Sequence, residues 1–221
     1  MNEHLQTLTE IRSLMERSSK FLSLSGLSGV SAGVVALIGS AVVYMRLRTD
    51  WLSVLSYDRL GKYGIGGYRE ANQFLWQTAV VVLITALAFG TFFTVRKARQ
   101  QGQRVWNQAS RRLLWALAVP LVTGGIFCLA LLHYRVLFLE VPATLIFYGL
   151  ALLNGSKYTV RDVEYLGYSE IALGLLALFL SGYNLLFWTI GFGVLHIIYG
   201  TAMYWKYDRN SAQKMGVNPT S

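Results

Sequence analysis

Charge is scarce in this chain. Asp, Glu, Lys and Arg make up only 14% of its 221 residues, while 54% are hydrophobic. Soluble domains carry about 25% charged residues, so this balance excludes an ordinary soluble domain. Cysteine is nearly absent: a single thiol, Cys128, excludes an intramolecular disulfide and any paired-cysteine metal site. Set inside an apolar run, it reads as a small packing residue. Aspartate is limited to Asp50, Asp58, Asp162 and Asp208, all outside the apolar runs, so no aspartate pair is placed for intramembrane proteolysis. A His-Glu-x-x-His zinc helix, a Gly-x-Ser-x-Gly elbow and a phosphate loop are also missing. Nothing here supports an enzyme, and no cofactor or metal is predicted.

What the chain does have is six long apolar blocks, about Leu22–Arg46, Phe74–Val95, Arg112–Tyr134, Leu137–Asn154, Leu166–Tyr183 and Leu185–Lys206. A bilayer core is crossed by roughly 20 apolar residues of helix. The predicted fold class is all-α, a polytopic membrane bundle of six transmembrane helices spanning residues 21–207. Residues 1–20 place Leu5, Leu8, Ile11 and Met15 on one helical face. They read either as an amphipathic helix on the membrane surface or as a cap beneath the bundle. Residues 208–221 read as a polar tail.

The formal net charge is +9. The basic residues lie between the apolar blocks, which suits anionic headgroups and topology rather than nucleic acid. With the N-terminus inside, fourteen of the twenty lysines and arginines fall on the inner side and six on the outer. That bias predicts both termini in the cytoplasm. The longest connector, about Leu47–Gln73, includes a candidate interfacial turn from Asp50 to Leu55. Its glycine tract, Gly61-Lys-Tyr-Gly-Ile-Gly-Gly-Tyr68, reads as an outer loop, since no strand precedes it as a phosphate cradle requires. The very short links at Arg135-Val136 and Ser181–Asn184 predict two tight hairpins in the C-terminal half. No inverted repeat relates the halves.

Small residues line the first block, with Gly29 and Gly33 in a small-xxx-small row that suits close helix packing, in the bundle or with a second copy. Pro120 removes the bond to the carbonyl of Ala116, which predicts a bend. Ionisable residues in lipid are costly, and each marks a candidate site. Stacked by depth they are Glu170 toward the inside, His196 at the centre, and Glu140 with His133 toward the outside. Thr144 and Tyr148 continue the row of Glu140, and Tyr199 shares the face of His196. Two readings stay open: a polar ladder for protons or cations, or groups that satisfy helix ends and interhelical hydrogen bonds. The differing depths of His133 and His196 argue against paired axial ligation of a haem.

The stretches Glu10-Ile-Arg-Ser-Leu-Met-Glu-Arg-Ser-Ser19 and Leu22-Ser-Leu-Ser-Gly-Leu-Ser-Gly29 look like the start of an uncharacterised bacterial family of small integral membrane proteins. Tyr148-Gly-Leu-Ala-Leu-Leu-Asn-Gly-Ser-Lys-Tyr158 and Gly191-Phe-Gly-Val-Leu-His-Ile-Ile-Tyr-Gly200 are similar to its later segments. The resemblance spans most of the chain. It implies a bacterial inner membrane, and it carries over no activity and no site residues. The expected role is a non-catalytic accessory, sensory or scaffold component, with transport as the alternative. The expected partners are the lipid bilayer and either another membrane protein or a second copy of the chain.

Overall fold

The computed structural model describes residues 24–47, 64–102 and 105–209. The amphipathic segment 1–20, the turn at Asp50–Leu55 and the tail beyond Arg209 lie outside the described residues. Within them the chain is helical, with no strand. Six long helices follow in order: α1 Gly26–Leu47, α2 Gly64–Gln100, α3 Gln108–His133, α4 Glu140–Ser156, α5 Asp162–Phe179 and α6 Asn184–Arg209. Five of them, all but α5, are long and apolar enough to cross a membrane. Helix α4 reaches that length together with the turn Leu137–Leu139 before it, whereas the 18 residues of α5 carry three carboxylates, Asp162, Glu164 and Glu170.

The glycine tract read as an outer loop is corrected in part. Helix α2 runs back to Gly64 and takes the second half of that tract into the helix. Once the apolar run has nucleated a helix, each added residue gains a backbone bond. That offsets a glycine cost of about 1 kcal/mol per residue. At 37 residues and ~1.5 Å per residue, α2 is about 55 Å long, well beyond a ~30 Å hydrocarbon core.

Helix α3 begins with a capping box: Asn107 Oδ1 accepts from the Ser110 amide at 2.8 Å, and the Asn107 amide donates to Ser110 Oγ at 2.9 Å. The helix is continuous through Pro120. The carbonyl that Pro120 leaves without its usual partner, that of Ala116, accepts instead from the side-chain amide of Asn154 on α4 at 2.9 Å. An unmet buried carbonyl costs about 1–3 kcal/mol, so a polar residue late in α4 repairs a defect in α3. The reversal into α4 uses Arg135 at φ 60°, a left-handed conformation that lets the chain turn within a few residues.

Helix α1 packs on α2 and α6, α6 also touches α5 and, through its first turns, α4, and α4 packs on α3 and α5. The most extensive contact is α4 with α5, so the tightest antiparallel pair is neither of the two expected hairpins. Glycine explains it. A Cβ at Gly149 would stand 2.7 Å from the Gly167 carbonyl oxygen, and one at Gly167 would stand 2.9 Å from that of Gly149. Backbone meets backbone there, which brings many more atoms into dispersion contact. The same device joins α1 to α6. Gly29 faces Gly200 with 3.0 Å between a built Cβ and Cα, and a Cβ on Gly33 would come within 2.6 Å of the Gly193 carbonyl oxygen. The row at Gly29 and Gly33 is therefore used inside the bundle.

Candidate functional site

Helices α4, α5 and α6 bring Tyr148, Glu170 and His196 together in the interior. The local cause lies in α6, where Thr189–Leu195 forms a π-helical turn between α-helical stretches. Such turns are often found at functional sites. Two glycines occupy this one, Gly191 and Gly193, and Gly191 makes room for the acid. A Cβ there would fall 2.7 Å from Glu170 Oε2 and 2.5 Å from Leu145 Cδ2. Thr189 anchors the start of the turn, donating its hydroxyl to the Leu185 carbonyl at 2.7 Å and lying 2.9 Å from Ser40 Oγ on α1.

His196 is 6% exposed. Its Nδ1 lies 3.0 Å from the Gly191 carbonyl oxygen. A carbonyl only accepts, so the network assigns the hydrogen to Nδ1. Nε2 is then the acceptor for the Tyr148 hydroxyl at 2.7 Å. The Tyr148 and Phe192 rings both run near-parallel to the imidazole, with centroids at 5.3 and 6.1 Å. Glu170 is 0% exposed. Its Oε1 is 3.6 Å from His196 Nδ1, too long for a hydrogen bond. Among the described residues neither carboxyl oxygen has a hydrogen-bond partner. An unpaired carboxylate in such a place is strongly disfavoured. The trio is electrically self-consistent when one proton resides on the acid, or when His196 carries it and the two form an ion pair.

The predicted order by depth, with Glu170 inside and His196 central, is corrected: the two lie at one level. Helix α5 starts at Asp162 rather than Leu166, so Glu170 is its ninth residue of 18 and occupies mid-helix. The remaining predicted residues stand apart. Glu140 opens α4 near the other end, where the Trp76 indole faces its carboxyl. Glu140 Oε1 and Trp76 Nε1 fall short of hydrogen-bond geometry, so the two groups are neighbours rather than bonded partners. Glu140 lies eight residues from Tyr148, about 12 Å along the helix. Between them the Thr144 hydroxyl donates to its own helix at the Val141 carbonyl, 2.8 Å away. His133, at the end of α3, is exposed and meets the ring of Tyr134 edge-on, at 5.1 Å between centroids. Tyr199 pairs with Ser169 on α5, oxygen to oxygen at 3.3 Å. Among the described residues no three His, Cys, Asp or Glu side chains are grouped to hold a metal ion.

A second polar cluster is absent from the sequence reading. Lys97, in the last turn of α2 and 8% exposed, forms an ion pair with Asp208 Oδ1 at 2.6 Å and donates to the Leu24 carbonyl at 2.7 Å. That 2.6 Å contact is close but not aligned as a hydrogen bond, for among the described residues Oδ1 has no such partner. Asp208 Oδ2 accepts from the Ser25 hydroxyl and the Gly26 amide, each at 3.1 Å. One aspartate late in α6 thus caps the start of α1 and neutralises the end of α2. Nearby in sequence, Lys206 donates to both Asp162 oxygens at 3.0 and 3.1 Å, and the Tyr207 hydroxyl donates to Oδ2. Burial pushes the Asp162 carboxyl up, but the Tyr207 and Lys206 bonds outweigh it and hold it below its usual range. The signal for the first cluster is faint: α1 has no acidic residue in its own first turn, and nothing in the spacing nominates Asp208 to supply one.

No protein-family model, no curated protein and no solved structure matches the chain.

Proposed function

We propose that the chain is a six-crossing protein of a bacterial inner membrane, with both termini cytoplasmic, acting without catalysis as an accessory, sensory or scaffold component. Support for α5 as the sixth crossing comes from where its acids lie. Asp162 and Glu164 are in the first turn, where an interface is near, and only Glu170 is deep, fully enclosed by protein. Support for lipid as the solvent comes from α2 and α3, whose exposed side chains include Val81, Leu83, Ile84, Leu87, Val122 and Ile126. The partner class is a membrane protein or a second copy of the chain.

The observation that carries the non-transporting role is the closure around His196. Both ring nitrogens are bonded within the bundle, one of them to a neighbouring helix. A transporter needs a wet path to such a group. The alternative, a proton or cation path through Glu170, His196 and then Glu140 with His133, is favoured by the unpartnered Glu170 carboxyl. It is disfavoured by the ~12 Å step between Tyr148 and Glu140. Cysteine accessibility tests the closure. In a Cys128→Ala background, Leu145→Cys places a thiol at a fully buried position beside Gly191. In sealed vesicles a small charged thiol reagent is expected to leave it unmodified from either side, while Arg46→Cys and Lys157→Cys react from opposite sides. Modification of the Leu145 position at a rate near those of the surface controls would mean that water reaches the core, and the non-transporting reading would fail.

A further inference from the structure

A cavity of about 510 Å³ opens between the start of α3 and the end of α4, lined by Gln108, Arg111, Arg112, Trp115, Asn154 and Tyr158 among others. From its chemistry we infer that it is a binding site for the phosphate headgroup of an anionic phospholipid. Both arginines are exposed, and among the described residues neither makes a salt bridge. Among the described residues no acidic side chain lines the cavity. The neighbouring cavity of about 390 Å³ makes the contrast. It holds Lys157 and Arg161, but Glu164 shares its wall and lies 3.9 Å from Arg161, which cancels much of its attraction for an anion. Paired guanidinium groups can grip phosphate oxygens through two donors each, and the Gln108 amide and Tyr158 hydroxyl add neutral donors.

A free phosphate would need only those groups. The surface beyond them favours a lipid. Trp115, 68% exposed, stands one turn in from Arg111 and Arg112, at the level where tryptophans mark a headgroup boundary. From it an exposed apolar stripe continues through Val119, Val122 and Ile126, at helical spacing along one face of α3. The stripe from Trp115 to Ile126 is about 16 Å long at ~1.5 Å per residue, room for much of an acyl chain. Basic pockets between helices at the cytoplasmic surface are suited to such headgroups. The inference rests on the bundle being in a membrane, and is independent of whether its core is closed.

The test is native mass spectrometry of the full chain in mild detergent, titrated with phosphatidylglycerol, with phosphatidylcholine of the same acyl chains, and with inorganic phosphate. The double variant Arg111→Gln with Arg112→Gln is compared with Arg96→Gln with Arg99→Gln, which removes the same charge from the end of α2. Wild type is expected to retain phosphatidylglycerol about tenfold more strongly than phosphatidylcholine, as two basic contacts allow. The cavity variant is expected to lose that preference and the α2 variant to keep it. Equal loss in both variants would reduce the effect to general surface charge and overturn the site. Absence of a headgroup preference in the wild type would also overturn it. Inorganic phosphate displacing the lipid at equal concentration would reassign the cavity to a free anion and overturn the lipid proposal. Because none of these readings involves flux or core accessibility, their failure is distinguishable from failure of the non-transporting role.

Discussion

Lys97→Met is expected to destabilise the folded chain by about 3–5 kcal/mol, the usual cost of removing one partner from a buried ion pair. The Lys97 and Asp208 side chains are only 10% and 11% exposed, so solvent cannot take over when one charge goes. The variant leaves the Asp208 carboxylate facing an apolar methionine, with the Ser25 hydroxyl and Gly26 amide as its remaining partners among the described residues. Adding Asp208→Asn removes the stranded charge while keeping an oxygen for those two donors, so the double variant is expected to recover much of the loss. Lys206→Met gives the scale for an exposed pair. Its side chain is 58% exposed, and such bridges are worth at most about 1 kcal/mol. Denaturant unfolding in detergent, followed by far-UV circular dichroism, measures all three. If Lys97→Met proves no worse than Lys206→Met, the tie between α1, α2 and α6 contributes little to stability.

The second large effect is expected at Gly200. A Cβ there would lie 2.5 Å from the Val30 amide nitrogen and 2.8 Å from the Gly26 carbonyl oxygen. Both are backbone atoms of α1, which cannot rotate aside as a side chain can. Gly200→Val therefore has to push α1 and α6 apart. Overpacking costs typically 1–3 kcal/mol, and separating these helices also opens the close packing along the whole Gly29–Gly33 row. We expect a loss above about 3 kcal/mol by the same unfolding assay, against the 1–3 kcal/mol of ordinary overpacking. Gly90→Ala and Gly125→Ala are the counterparts, since nothing lies within 4 Å of a Cβ at either place. In those open helix interiors alanine should be neutral or better by about 0.5–1 kcal/mol. Equal effects at Gly200 and Gly90 would mean that the glycine contact between α1 and α6 does not hold the bundle.

The helix positions were legible because the bilayer that the chain is proposed to occupy admits few solutions. An apolar run of about 20 residues has to become a helix there, so the block Leu22–Arg46 corresponds to Gly26–Leu47 and Leu185–Lys206 to Asn184–Arg209. Glu170 and His196 stood out by the cost of placing them in an apolar run. Their meeting did not, because hydropathy carries no rotational register: the start of α5 had to move by four residues before Glu170 came level with His196. The π turn at Thr189–Leu195 is equally silent in the sequence. Its glycines are typical of many membrane helices, and only the closeness of Leu145 and Glu170 to Gly191 gives them their meaning. Asn154 could be recognised as polar but not assigned, since its partner is a carbonyl made available by a proline on another helix. Asp208 was hidden for the same reason, lying more than 180 residues from the helix start that it caps.

The central claim is that the Tyr148–His196–Glu170 core is closed and passes nothing across the membrane. A pH-gradient flux assay on purified protein in liposomes tests it most directly, with wild type and His196→Ala side by side and protons and common monovalent cations each examined. The prediction is flux no greater than that of protein-free liposomes for both forms. Flux that requires the wild-type protein and vanishes in His196→Ala would contradict it, and would make the buried histidine part of a conducting path.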